Sequence, residues 1–290
     1  MKWFNQSELG YYRGGAKVVE YFNKKIYNRR NQYDYIIKKD YHNLIAEIEK
    51  NGYAKIEDFY DKGIINEFRD EFISLIEDGK HTTYVQNNNH IQLKEIFLNS
   101  KYALSIATDS RLIDIATSFF KCMPGLGTFN LRQSFVNYQP PSSTCQFHRD
   151  FNSPVKILKF FFYLNDVSVK NGPFTYVEGS NRIVPAKPHW WNDLGHRVSD
   201  EQIANIYGVE RIKHLTAKAG DLLIATTNGY HKGQKILEGT REMFTINYLI
   251  HPEMENADPS TARAKFKIRE QDYKKLPDWK KPVCDFLIKV

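Results

Sequence analysis

Apolar residues recur at helical spacing in the first part of the chain and at strand spacing in the middle. Leu44, Ile45 and Ile48 form one stripe of a helix over residues 40–50, which Asn51-Gly52 stops. Residues 53–56 read as a short strand. After Asp61, the run Ile64, Ile65, Phe68, Phe72, Ile73, Leu75 and Ile76 keeps a helical period and ends near Gly79. Residues 80–100 are polar and read as a loop. Asp109 or Ser110 caps a helix over residues 111–121 whose inner face is Leu112, Ile113, Ile115, Ala116, Phe119 and Phe120.

From Gly127 the period falls to two. Strands are expected over 128–138, ending at Pro140-Pro141, then over 146–150, 155–164, 174–177, 220–226 and 241–250. Asn171-Gly172-Pro173 and Gly179-Ser180-Asn181 read as turns. A long connection, 182–215, carries Trp190, Trp191 and a short helical stretch at 201–207. Many short strands after a helical block predict a mainly β fold with flanking helices, built on a double-sheet jelly roll. The expected organisation is one domain over 1–290. It has a mostly helical part to residue 125, a jelly-roll core over 126–250, and a tail over 251–290 that packs on the core.

Composition changes this picture little. The chain has 290 residues, a globular apolar content and many aromatics. A formal charge of +7 allows an anionic substrate but does not argue for nucleic acid. Cys122, Cys145 and Cys284 are too far apart to suggest a disulfide framework or a zinc cluster. There is no signal-like start and no run of the roughly 18 apolar residues a membrane span needs. The expectation is a cytoplasmic protein with no membrane partner.

The candidate chemistry lies in His148-Arg149-Asp150. In a strand, residues i and i+2 share a face, so His148 and Asp150 can offer an imidazole and a carboxylate to one ion. His231, just after the 220–226 strand, is the candidate third ligand. Two histidines and one carboxylate with open positions is the ligand set of non-haem Fe(II) oxygenases. Arg241, ten residues on, suits a carboxylate held by two parallel hydrogen bonds. On its strand Arg241, Met243, Thr245 and Asn247 share one face, while Phe244, Ile246, Tyr248 and Ile250 share the other.

The His148–Asp150 pair, the run 159–167, the Asn171-Gly172-Pro173-Phe174 turn, residues 177–180, His231 and Arg241 together resemble the phytanoyl-CoA dioxygenase family over roughly residues 45–250. The resemblance implies a double-stranded β-helix that uses Fe(II), 2-oxoglutarate and O2. It implies His148, Asp150 and His231 as iron ligands and Arg241 as the residue that grips 2-oxoglutarate. Gln133 and Asn137 fall on positions that contact co-substrate or substrate in some members, and Lys94 falls near a co-substrate lysine. Phe161 replaces a frequent tryptophan and is a candidate substrate contact, as are Trp190 and Trp191, a lid over the site. Gly233 stands where a Ser or Thr is common. Asp150 is retained where related halogenases carry a small residue, which argues for oxygen insertion. The reading is hydroxylation of a small, possibly anionic molecule with release of succinate and CO2. The alternatives are an oxygenase acting on a protein or nucleic acid, a non-catalytic binding module on the same fold, and a metal hydrolase.

Overall fold

The computed structural model describes residues 35, 37, 39–85, 89–136, 145–150, 157–182, 197–249, 266–285 and 287–290. The expectations for Asn137, Trp190 and Trp191 lie outside these residues, as does the Pro140-Pro141 turn.

The helices begin where capping chemistry puts them. Helix α1 (His42–Asn51) closes on Gly52, whose φ of 90° suits a residue without Cβ. Strand β1 (Tyr53–Ile56) follows. Helix α2 (Lys62–Asp78) opens where the Asp61 side chain accepts from the N–H of Gly63. Residues 80–100 are not a loop. They hold the hairpin β2 (Thr82–Val85) and β3 (His90–Leu93) and a short helix α3 (Ile96–Asn99). Thr82 and Tyr84 are polar or amphipathic and this is a sheet edge, so the hairpin carries little apolar alternation. Helices α4 (Lys101–Ala107) and α5 (Ser110–Phe120) complete the helical layer, with Asp109 capping α5.

The large sheet takes the order β1-β8-β5-β10-β4-β3-β2. Its further strands are β4 (Gly125–Phe135), β5 (Leu158–Tyr163), β8 (Leu222–Ala225) and β10 (Thr240–Leu249). The small sheet has the order β7-β6-β9, from β6 (Phe174–Val177), β7 (Ile212–Leu215) and β9 (His231–Gly233). The two sheets form an open jelly-roll frame, mainly β with flanking helices, and do not close into a barrel.

Strand alternation divides the core in two. Phe160, Phe162, Ile224, Phe244, Ile246 and Tyr248 face the helices, joined by Phe68, Phe72 and Phe120. Phe161, Tyr163, Leu223, Ala225 and Met243 face the small sheet, where they meet Phe174, Tyr176 and Leu215. The face assignment made for β10 from sequence therefore holds for its described residues. Helix α6 (Asp200–Tyr207) packs behind the small sheet through Ile203 and Tyr207, against Phe147 and Tyr230.

After residue 265 come β11 (Lys267–Ile268), helix α7 (Glu270–Lys275), a 3-10 turn (Asp278–Cys284) and β12 (Ile288–Lys289). Val283, Cys284 and Leu287 are buried in the helix-side core, and Phe266 lies on Phe129 at 4.3 Å between ring centres.

Candidate metal centre

Residues 146–150 do not form a regular strand. Single bridges hold them: Phe147 pairs with Val198 and His148 with His231. The last pairing joins two candidate ligands directly. The N–H of His148 donates to the carbonyl of His231 at 2.9 Å, and the N–H of His231 donates back at 2.9 Å. One step on, the N–H of Asp150 donates to the carbonyl of Thr227 at 3.0 Å. Between the two ligands, Arg149 turns the other way. Its guanidinium donates to the carbonyl of Ser180 at 2.8 Å and lies over the Tyr230 ring at 4.3 Å.

The side chains of His148, Asp150 and His231 converge, each offering one ligand atom, with these atoms within 4.8 Å of one another. Nε2 of His148 is 3.9 Å from Oδ1 of Asp150, and Nε2 of His231 is 3.7 Å from Oδ2. The other nitrogen of each ring is committed: Nδ1 of His148 lies 2.9 Å from the carbonyl of Gln146, and Nδ1 of His231 lies 3.0 Å from that of Gly229. A carbonyl can only accept, so each Nδ1 carries the proton and each Nε2 presents a lone pair to the centre.

The electrostatics match. Burial, followed by the neighbouring His231, pushes the pKa of His148 down to about 3. Burial also lowers that of His231. Both rings are therefore neutral near pH 7, as ligands must be. Burial alone would raise the carboxyl of Asp150. The ammonium of Lys159, 2.6 Å from Oδ2, and the two imidazoles outweigh it and hold the group well below the usual carboxylate range. Two neutral imidazoles and an ionised carboxylate suit a divalent first-row ion.

The triad opens into a cavity of about 530 Å³ between the sheets. Arg241 lines it, as do Met243 and Thr245 from the same face of β10. Arg241 is 7 % exposed; its Nη1 donates to the carbonyl of Gly172, and its Nε makes no hydrogen bond among the described residues. Phe161 is on the wall, 4.4 Å from Phe174 between ring centres, and Phe174 in turn stands 5.5 Å from His231. Phe161 and Phe174 thus make an aromatic wall beside the triad.

Two expected residues stand elsewhere. Gln133 belongs to the other face of β4, where its Nε2 donates to Oε1 of Glu242 at 2.9 Å, beneath the helices. Lys94 is exposed at the end of β3 and does not line the cavity. The polar residues that β4 sends into the cavity are Asn130, Arg132 and Ser134. The sequence carries the signal for them: they alternate with Phe129 and Leu131, so the apolar parity of β4 excludes Gln133 from the polar face. Lys159 and His90, both lining the cavity, were also missed. Lys159 sits in an aromatic run that reads as core.

A family model described as phytanoyl-CoA dioxygenase matches residues 48–237. No curated protein matches the chain in sequence. Several solved structures share the fold. The epimerase SnoN, solved with Fe3+, alpha ketoglutarate and nogalamycin RO, is 17% identical with a TM-score of 0.57, over 78% of this chain and 93% of that one. EctD from S. alaskensis with bound Fe is 18% identical at 0.56, over 76% and 80%. HygX from Streptomyces hygroscopicus, with nickel and 2-oxoglutarate bound, is 15% identical at 0.56, over 73% and 87%.

Proposed function

The chain belongs to the phytanoyl-CoA dioxygenase family, and from that we propose that it hydroxylates a small molecule in an Fe(II)- and 2-oxoglutarate-dependent reaction. One observation carries the reading. Two neutral imidazoles and an ionised carboxylate share a cavity with a buried guanidinium that has no carboxylate partner among the described residues. A metal hydrolase has no use for that guanidinium.

His148, Asp150 and His231 would hold the iron through two Nε2 atoms and a carboxylate oxygen. Bound there, ferrous iron supplies O2 activation coupled to decarboxylation of 2-oxoglutarate to succinate and CO2. Every other role falls to the chain. Lys159 holds the second oxygen of Asp150 and restrains how the carboxylate turns. Arg241 receives the distal carboxylate of 2-oxoglutarate through paired N–H donors. Gly233 offers no hydroxyl beside it, so Arg241 carries that carboxylate without a serine or threonine at this position. Phe161 and Phe174 would line the reacting face with apolar surface.

The test is anaerobic titration with Fe(II) and 2-oxoglutarate, which is expected to give a weak visible charge-transfer band. The band should vanish in His148→Ala. Arg241→Ala should raise the 2-oxoglutarate concentration required at least a hundredfold, because a buried carboxylate is left unpaired. A wild-type protein that binds both without the band, or that releases succinate without iron, would sink the proposal.

A further inference from the structure

The described residues bring more positive charge into the cavity than this chemistry uses. Asp150 is matched by Lys159 at 2.6 Å, and Asp200 by Lys232 at 2.6 Å. Arg241 is assigned to the co-substrate. Arg132 is left over. It enters from β4 opposite Met243, whereas Arg241 lies opposite Ser134. Arg132 therefore stands one strand to the side of Arg241 and one inward-facing row closer to Thr245.

The surroundings of Arg132 are those of a charge waiting for a partner. Its Nε is shut from solvent and makes no hydrogen bond among the described residues. Among the described residues the groups that bear most on its charge are Arg241, Cys145 and Tyr163, and no ion pair joins it to a carboxylate. Burial, then the like charge of Arg241, push its pKa down to about 10, which still leaves it protonated at neutral pH. A half-buried cation beside a second, buried cation is unfavourable unless something anionic joins them. A methionine would fill the same space without that penalty. The co-substrate does not account for Arg132. A molecule reaching from the triad to Arg241 would end on β10, whereas Arg132 reaches in from the neighbouring strand β4, as Asn130 and Ser134 do.

We infer that Arg132 anchors an oxyanion, a carboxylate or phosphate, carried by the molecule to be oxidised and lying beside the co-substrate. The inference rests on the iron and 2-oxoglutarate reading and adds the feature by which the substrate is held. Guanidinium geometry favours such a group, since Nε and a terminal nitrogen can face two oxygens at once.

Nickel-loaded protein allows a test without turnover, with sulfate as the probe oxyanion. Calorimetry on the nickel and 2-oxoglutarate complex is expected to find one sulfate per chain at millimolar affinity. Arg132→Met should weaken sulfate at least tenfold and change 2-oxoglutarate affinity less than twofold, and Arg132→Lys should keep part of the sulfate binding. A tenfold loss of 2-oxoglutarate affinity in Arg132→Met overturns the inference, because the anion held would then be that of the co-substrate. Sulfate that fails to bind wild type, or binds Arg132→Met equally, overturns it as well. Should the variants not fold, competition in wild type decides: sulfate displaced by 2-oxoglutarate means one shared subsite and an incorrect inference. Failure of the nickel protein to bind 2-oxoglutarate at all is a different result, and counts against the oxygenase reading instead.

Discussion

Lys159 occupies the charge position that a metal would share. With no ion bound, its ammonium is the nearest counter-charge to Asp150, at 2.6 Å, with the two side chains 18% and 27% exposed. Removing it leaves a largely buried carboxylate against two neutral rings. Lys159→Met is therefore expected to lower the stability of metal-free protein by about 2–3 kcal/mol, discounted from the fully buried case for that exposure. Nickel should restore most of the loss, since the ion supplies the missing positive charge. Urea unfolding with and without nickel measures both, and an equal loss in the two conditions would assign Lys159 to packing alone. The histidines give a pH dependence of known sign. The pKa of His148 is about 3 in the folded chain, below the roughly 6.5 of a free imidazole. Between those values the unfolded chain binds more protons, so metal-free protein loses stability as pH falls from about 6.5 toward 3, and has the full contribution above that window. Asp150 acts in the same direction at the acid end. Unfolding at pH 7.5, 5.5 and 4.5 should show the fall, and His148→Gln should flatten it.

Strand parity explains what sequence revealed of the site and what it concealed. On β10 the alternation is clean. It put Arg241, Met243 and Thr245 on the cavity side and Phe244, Ile246 and Tyr248 under the helices, as observed. The same rule applied to β4 selects Asn130, Arg132 and Ser134, and the resemblance to family positions led instead to Gln133. Gln133 has a structural partner in Glu242, which is 1 % exposed and also bound by Nε of Arg69 at 2.5 Å. Glu242 ties α2 to β10 through that contact. Arg69→Met should destabilise the fold by about 2 kcal/mol, less than a fully buried pair because Arg69 is 40 % exposed, and should leave 2-oxoglutarate affinity unchanged. A denaturant midpoint and one calorimetric titration check this. That His148, Asp150 and His231 converge was legible from residue type and resemblance. The expected strand that would have aligned His148 and Asp150 is absent. Cross-chain bridges do that work, and no local period announces a bridge. The β2–β3 hairpin was hidden for a related reason: an edge faces water on one side and loses its apolar signature.

At the scale of the molecule, the fold is assembled from distant pieces. Strand β1 pairs with β8, and the segment after residue 265 returns to cover the helix-side core. Phe266 against Phe129, itself stacked on Phe97 at 4.1 Å, joins the tail, β4 and α3. Deleting residues 266–290 uncovers these rings together with the pocket filled by Val283, Cys284 and Leu287. The truncated chain is expected to lose cooperative unfolding and bind a hydrophobic dye, and a sharp melt at an unchanged temperature would contradict this. The reciprocal main-chain bonds of His148 and His231 have a consequence at this same scale. They fasten the two histidines directly to each other across the stretch that separates them. Loops and the helix at 200–207 lie within that stretch, so the parts of it that touch neither Asp150 nor Lys159 can be rewritten while the triad keeps its geometry. Lineages built on this frame should therefore change clientele more readily than chemistry, and a designer seeking new substrates would do well to recombine residues 200–215 and leave the two clasped histidines, Asp150 and Lys159 alone.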